Sequence, residues 1–484
     1  MRYFLIAGEA SGDLHGSNLM RGLYARDPQA DIRFWGGGLM DAVYQEHQQG
    51  SGLVRDYREG AVMGIWEVFV QARKLLARVR SCEEDIAAWK PDVVILIDYP
   101  GFNFRIAEYA HNAGFKVFWY IAPKVWASRE KRIKKLKAFV DKLFIVFPFE
   151  KEYFTRKGVD FVYKGNPLID AVDRSPALQE PRPDFLARHG LPDKPFVALL
   201  AGSRGAEIKT MMPVLKDFAA RLHAMPQYAD YQYVIAAAPG RTPTDYGEVP
   251  DYVHLIFGDT YGALRHAQAA VINSGTASLE AALIGTPQVV GYKTAWLTYL
   301  VGRAILKIKY ISLANLVIDR AAFKELLQNY LTGENLVAEV RRLLEDGNYR
   351  ARMAADYADV RAKLGGAGAS DAVAEAMIAD LRKLSLSLCK VFASDGLKRV
   401  DMKKDRLIGL FAIGLLSLLG FSSCSPKLRM RKLVETPVDT LKVLPSDTVI
   451  IKPVRPDQPI KLMYGVPPVR YEKMEAPEKQ LKTE

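Results

Sequence analysis

Apolar residues in this chain cluster in short unbroken runs, and most of these runs end in a glycine-rich or small polar turn followed by a helical pattern. The runs occupy residues 3–7, 32–35, 93–97, 116–121 and 142–147, then 196–200, 233–237, 254–257, 269–272 and 288–292. A run such as 93–97, with no polar alternation, implies a strand covered on both faces. Residues 270–293, AAVINSGTASLEAALIGTPQVVGYK with its flanking alanine, show the repeating order in full. A strand is broken by Asn273-Ser274-Gly275-Thr276, a helix over 277–284 is stopped by Gly285 and Pro287, and a second strand follows. This is a βαβ unit, and its repetition predicts an α/β protein. Residues 175–183, rich in proline and polar side chains, read as a linker after which the pattern restarts. Two helical segments, about 322–345 and 346–383, close the regular part. The expected divisions are 1–174, 184–345, 346–384 and a final 385–484.

Composition changes this picture little in the body and much in the tail. With 484 residues, 49% hydrophobic and 25% charged, the chain is globular and long enough for roughly three domains. The formal charge is +12, but residues 385–484 hold 18 Lys/Arg against 11 Asp/Glu, so the rest carries only +5. That argues against a nucleic-acid protein and suits an anionic substrate or an acidic membrane surface. Cys82, Cys389 and Cys424 are far apart and odd in number, which indicates neither a disulfide framework nor a zinc site. Met1-Arg2-Tyr3 leads straight into a strand, so no signal peptide is expected ahead of it, and the compartment reads as reducing.

Candidate chemistry gathers where strands end. The turn at 273–276 opens a helix, so free N–H groups and a positive helix end would meet a phosphate there. Thr276 and Glu280 are four apart on one helix face, and Glu280 could accept hydrogen bonds from ribose hydroxyls. Together they suggest a nucleotide diphosphate; a helix cap and a solvated glutamate are the alternative. Gly202-Ser203-Arg204-Gly205-Ala206-Glu207 places a fixed cation, Arg204, in a glycine turn at a helix N-terminus, as a leaving diphosphate requires. The run 93–97 delivers Asp98 to a strand's carboxyl end beside Tyr99-Pro100-Gly101, where partial burial would suit a general base; a helix or loop cap is the alternative. Gly8 to Asp13 forms a further strand–turn–helix, and Gly36-Gly37-Gly38 reads as a flexible exit from the second strand. Residues 61–80 and 124–137 mix aromatic and basic side chains; each fits either an ordinary helix or a contact with anionic lipid. Residues 296–309 are too short and charged to span a bilayer.

The combination of GEASGD at 8–13, AVMGI at 61–65, the Asp98 stretch, Pro123 to Trp126, FPFEK at 147–151, GSRGAE at 202–207, SGTASLE at 274–280 and YISLANL at 310–316 closely resembles the lipid-A-disaccharide synthase family. The resemblance covers about residues 1–383. It implies a GT-B fold, with two Rossmann-like domains facing a cleft, and an inverting glycosyltransferase. The implied reaction joins UDP-2,3-diacylglucosamine to 2,3-diacylglucosamine 1-phosphate and releases UDP, without metal or cofactor. Asp98 falls where the family keeps its base. Arg204, Ser274, Gly275, Thr276, Glu280 and Asn315 fall in its UDP-binding motifs, and Glu9, Ser11, Met63 and Asn103 in its acceptor-side motifs. A cytoplasmic enzyme, peripheral on the inner face of the inner membrane, is implied, with a homodimer among the options and no nucleic-acid partner. Gly165-Asn166-Pro167 and Ile318-Asp319-Arg320 depart from the commoner Gly-His-Pro or Gly-His-Thr and Ala-Gly-Arg, which bears on substrate fit.

Residues 385–484 match nothing in that family. Met402-Lys403-Lys404-Asp405-Arg406, an apolar stretch to Phe421 and Ser422-Ser423-Cys424 resemble a bacterial lipoprotein signal, after which a proline-rich, charged segment reads as disordered. Two joined reading frames, with Met402 as the second start, explain this best; a membrane tether is the alternative. Another UDP-N-acetylglucosamine-dependent transferase or epimerase, or a non-catalytic nucleotide-binding scaffold at a membrane surface, are the competing functional readings.

Overall fold

The apolar runs fold into two separate, wholly parallel sheets. In the computed structural model the described residues are 1–60, 67–273, 275–294 and 309–395. Met63 and the rest of 61–66, Ser274, residues 295–308 and the lipoprotein-like tail lie outside them. The first sheet contains β1 (Arg2–Ala7), β2 (Asp31–Gly36), β3 (Leu53–Asp56), β4 (Val93–Ile97), β5 (Lys116–Tyr120), β6 (Lys142–Ile145) and β7 (Val162–Tyr163), in the order β3-β2-β1-β4-β5-β6-β7. The second contains β8 (Phe196–Leu200), β9 (Gln232–Ala237), β10 (Val253–Phe257), β11 (Ala269–Asn273), β12 (Gln288–Tyr292) and β13 (Glu325–Leu327), in the order β10-β9-β8-β11-β12-β13. These are two Rossmann-like domains, and Met1–Ile378 lie in one compact unit.

Each sheet grows outward from its first strand and then reverses: β1 neighbours both β2 and β4, and β8 neighbours both β9 and β11. At such a reversal the helices on either side diverge and leave a crevice beyond the strands' carboxyl ends. Register puts both members of each pair at one level, with Ala7 opposite Ile97 and Leu200 opposite Ile272. The turns after β1 and β4, and those after β8 and β11, therefore emerge side by side. The central strands can be apolar throughout because both faces are covered: all five residues of β4 are fully buried.

The differences from the sequence pattern have local causes. Strands β3, β7 and β13 give no apolar run because they are two to four residues long, lie towards the sheet edges and are largely half-exposed. The segment expected to be helical from 322 instead supplies β13 and a 3₁₀ turn at Gln328–Tyr330 before the helix Gly333–Glu345 begins. The last helical segment is split into Gly347–Leu364 and Ala369–Asp395 by two glycines at positive φ, Gly365 at 99° and Gly368 at 95°. The glycines after β2 are not a loose exit, since buried Asp13 accepts hydrogen bonds from the N–H groups of Gly37 (2.9 Å), Leu39 (3.1 Å) and Met40 (3.1 Å).

Beyond the helix Gly347–Leu364 the chain returns to the first domain. Asp170, in the connecting helix Pro167–Asp173, accepts from the N–H groups of Gly368 (2.5 Å) and Ser370 (2.7 Å), and Arg174 pairs with Asp371 at 2.7 Å. Among the described residues, no helix is long and apolar enough to cross a membrane.

Candidate functional site

The first half of the site is built where β1 and β4 end. Asp98 leaves β4 with φ at 43°, and Tyr99 (47°) and Ile121 (63°), just beyond β5, are also left-handed. Three non-glycine residues in this sparsely allowed region, on adjacent strand ends, mark backbone held in place by its surroundings. The Asp98 N–H donates to the Tyr120 carbonyl at 3.1 Å, and the buried Asn103 Nδ2 donates to the Asp98 carbonyl at 2.8 Å. Asn103, expected on the acceptor side, thus braces the Asp98 turn from behind. Gly8 must be glycine, because a Cβ there would lie 2.2 Å from the Tyr99 ring. Burial pushes the Asp98 carboxyl above its ordinary value; Lys124 opposes this most, Glu9 adds to it, and Arg204 opposes it. Glu9 and Ser11 are exposed at the start of the helix Ala10–Arg26.

The second half is built where β8 and β11 end. Gly202, with φ at 108°, turns the chain into the helix Gly205–His223, and a Cβ on it would come within 2.5 Å of Asn273 Nδ2. Glu207 closes a capping box: its carboxylate accepts from the N–H groups of Ser203 (3.0 Å) and Arg204 (3.3 Å) and from Arg204 Nη1 (3.2 Å). The guanidinium of Arg241 donates from Nε (3.0 Å) and Nη2 (2.9 Å) to the Ser203 carbonyl, fixing the loop from the other side. Arg204 itself remains 68% exposed. After β11, Gly275 precedes the helix Thr276–Ile284, and Glu280, one turn along it, accepts from the Tyr261 hydroxyl at 3.0 Å. Burial pushes its carboxyl up to about 7.

Asn315 sits differently from the ligand-contacting position its motif suggests. It is fully buried; its Nδ2 donates to the Phe323 carbonyl (3.2 Å) and to Glu325 (2.9 Å), and its Oδ1 accepts from the Ala322 N–H (2.9 Å). Every polar atom of this side chain serves the segment entering β13.

The two halves meet. Arg204 Nη2 lies 3.6 Å from the Glu9 carboxylate of the other domain. One cleft is lined by Ser11, Asp98 and Lys124 from the first domain, Asn166 from the connection, and Thr276 and Leu313 from the second. Asn166 caps the helix Pro167–Asp173, accepting from Leu168 N–H at 2.9 Å while its Nδ2 donates to the Val146 carbonyl at 3.0 Å. Asp319 and Arg320, the other departure from the family's commoner forms, instead make ion pairs with Lys309, Asp356 and Asp359. Chemically, a carboxyl whose pKa burial raises shares the cleft with the helix N-terminus at Thr276, and the cation Arg204 stands beside Glu9 of the first domain. That arrangement lets a base act on one molecule while the other domain holds an anionic leaving group.

A profile of the lipid-A-disaccharide synthetase family matches residues 3–378. The chain belongs to that family. Curated relatives include lipid-A-disaccharide synthases of Myxococcus xanthus, 37% identical over 78% of this chain and 97% of theirs, and of Syntrophus aciditrophicus, 36% identical over the same shares. It is accordingly a glycosyltransferase of lipid A biosynthesis. Among solved structures, a putative UDP-N-acetylglucosamine 2-epimerase of Listeria monocytogenes superposes with a TM-score of 0.53 at 16% identity, covering 79% of this chain and 97% of that one. A UDP-N-acetylglucosamine 2-epimerase of Methanocaldococcus jannaschii gives 0.55 at 13% identity, covering 78% and 99%. At such identities the likeness is one of fold, the face-to-face pair of Rossmann-like domains called GT-B.

Two residues at or next to this cleft carry no signal in the sequence pattern. His15 lines the cleft but sits in a helix where a histidine carries no periodic signal. Glu150 is the one acid of FPFEK, and only its complete burial sets it apart from the other acids of the chain.

Proposed function

We propose that this protein condenses UDP-2,3-diacylglucosamine with 2,3-diacylglucosamine 1-phosphate, giving a disaccharide 1-phosphate and UDP with inversion at the anomeric carbon. The observation that carries the reading is the position of Asp98, at the carboxyl end of β4 in the cleft that Thr276 of the other domain also lines. In this mechanism the Asp98 carboxylate takes the proton from the acceptor's 6-hydroxyl as that oxygen attacks the anomeric carbon. The bond to the diphosphate breaks on the opposite side. Arg204, with the N-terminus of the helix Thr276–Ile284 at Gly275 and Thr276, takes up the charge gathering on the departing UDP. Glu280 receives the ribose hydroxyls. Glu9 and Ser11 flank the acceptor, and Asn103 and Asn315 hold the walls. The acyl chains of both substrates call for an enzyme at a membrane surface, which in this reading is the inner face of the inner membrane.

Transfer by the full chain with both lipid substrates, beside Asp98→Ala, tests this. A loss of roughly 10²–10⁴-fold in kcat with UDP affinity retained is the expected result for a missing base. Full transfer by the variant overturns the role of Asp98. Formation of a 2-epimer from UDP-N-acetylglucosamine alone, with no disaccharide, would favour the epimerase reading.

A further inference from the structure

Glu150 is 0% exposed, and burial pushes its carboxyl up to about 7. Its oxygens accept from the N–H groups of Val146 (3.0 Å) and Phe147 (2.9 Å) and from the indole Nε1 of Trp126 (3.0 Å). The two backbone bonds are local and cap the helix Pro148–Arg156. A serine at the cap would serve that purpose without burying an ionisable carboxyl far from water. The indole bond reaches 24 residues back to the segment leaving β5. That segment carries Lys124, and Lys124, Val146, Phe147 and Asp98 line the same cleft. Trp126 is held further by an edge-to-face contact with Phe149, centroids 4.9 Å apart.

The charged groups acting on Asp98 come from three strand ends: Lys124 after β5, Glu9 after β1, and Arg204 after β8. Lys124 opposes the effect of burial on Asp98 more than any other group and also acts on Glu150. We propose that Glu150 is a positioning residue for the transfer reaction: by bridging Trp126 to the Val146–Phe147 backbone it holds the Lys124 segment against the cleft that Asp98 also lines. The inference rests on the reading of Asp98 as the base.

The test is the pH dependence of kcat/KM for the full-length chain and for Lys124→Met, Trp126→Phe, Glu150→Gln and Asp98→Asn. Removing the lysine's charge raises the pH at which Asp98 ionises, so the acidic limb of Lys124→Met moves upward by about 1 pH unit. Trp126→Phe, which leaves both local bonds of Glu150 intact, moves it in the same direction, as does Glu150→Gln. Combining Glu150→Gln with Lys124→Met moves it no further than Lys124→Met alone, because both act through one charge. Lys124 is exposed, so its variant folds whatever happens to the buried ones. An unmoved limb in Lys124→Met or Trp126→Phe, with Asp98→Asn inactive, overturns the positioning role and leaves the base standing. Transfer by Asp98→Asn overturns both.

Discussion

At the scale of single residues, burial decides which titrating groups matter. His15 is 7% exposed in the cleft wall, and burial pushes its imidazole down to about 4 while Asp170 pulls weakly the other way. In the unfolded chain the same ring binds a proton near pH 6.5. Between those values the unfolded state holds more protons, so stability from this residue is complete above pH 6.5 and lost as pH falls towards 4. The wild type should therefore lose about 2 kcal/mol from His15 between pH 7 and pH 5. His15→Leu should show a smaller decline, read from urea midpoints at the two pH values. An equal decline in both proteins would mean that His15 is protonated in the fold.

At the scale of elements, side chains take over where backbone ladders stop. The apolar run 142–147 yields a strand only to Ile145, because the N–H groups of Val146 and Phe147 are given to Glu150 instead. Asn315 plays the corresponding part at β13, joined by Glu325, which accepts from the N–H groups of Ile311 and Ser312, both at 3.0 Å. Asn315→Ala would orphan a buried N–H and a buried carbonyl, costing roughly 2–3 kcal/mol of stability. UDP affinity measured on the folded variant should stay within twofold of wild type. A tenfold weakening without destabilisation would instead give Asn315 the direct nucleotide contact its motif suggests.

At the scale of the whole molecule, the two domains are fastened where the chain crosses twice. Asp170, Asp173 and Arg174 on the first crossing bind Ser370, Arg361 and Asp371 around the second. The family match ends at residue 378, within the helix that makes this return. A chain ending at residue 384 should therefore keep the kcat of the full chain in detergent-solubilised assays. A drop of tenfold or more would assign the tail a part in transfer.

Ten strands, the turns after them and the assignment of Asp98 to a strand end were legible in the sequence, because apolar runs and glycine turns are short-range signals. Motif order alone also pointed to the reaction class. The sequence did not reveal β3, β7 and β13, whose half-exposed residues carry little hydrophobic signal, nor the break of the last helix at Gly365–Gly368. Above all, it left open which turns would meet. Strand order sets β1 beside β4 and β8 beside β11, and domain docking then brings Arg204 to Glu9. Those pairings depend on contacts between residues far apart in the chain, which no local pattern encodes. The same holds for Glu150 and Asn315, polar residues whose burial is imposed by neighbours that only the folded chain brings together.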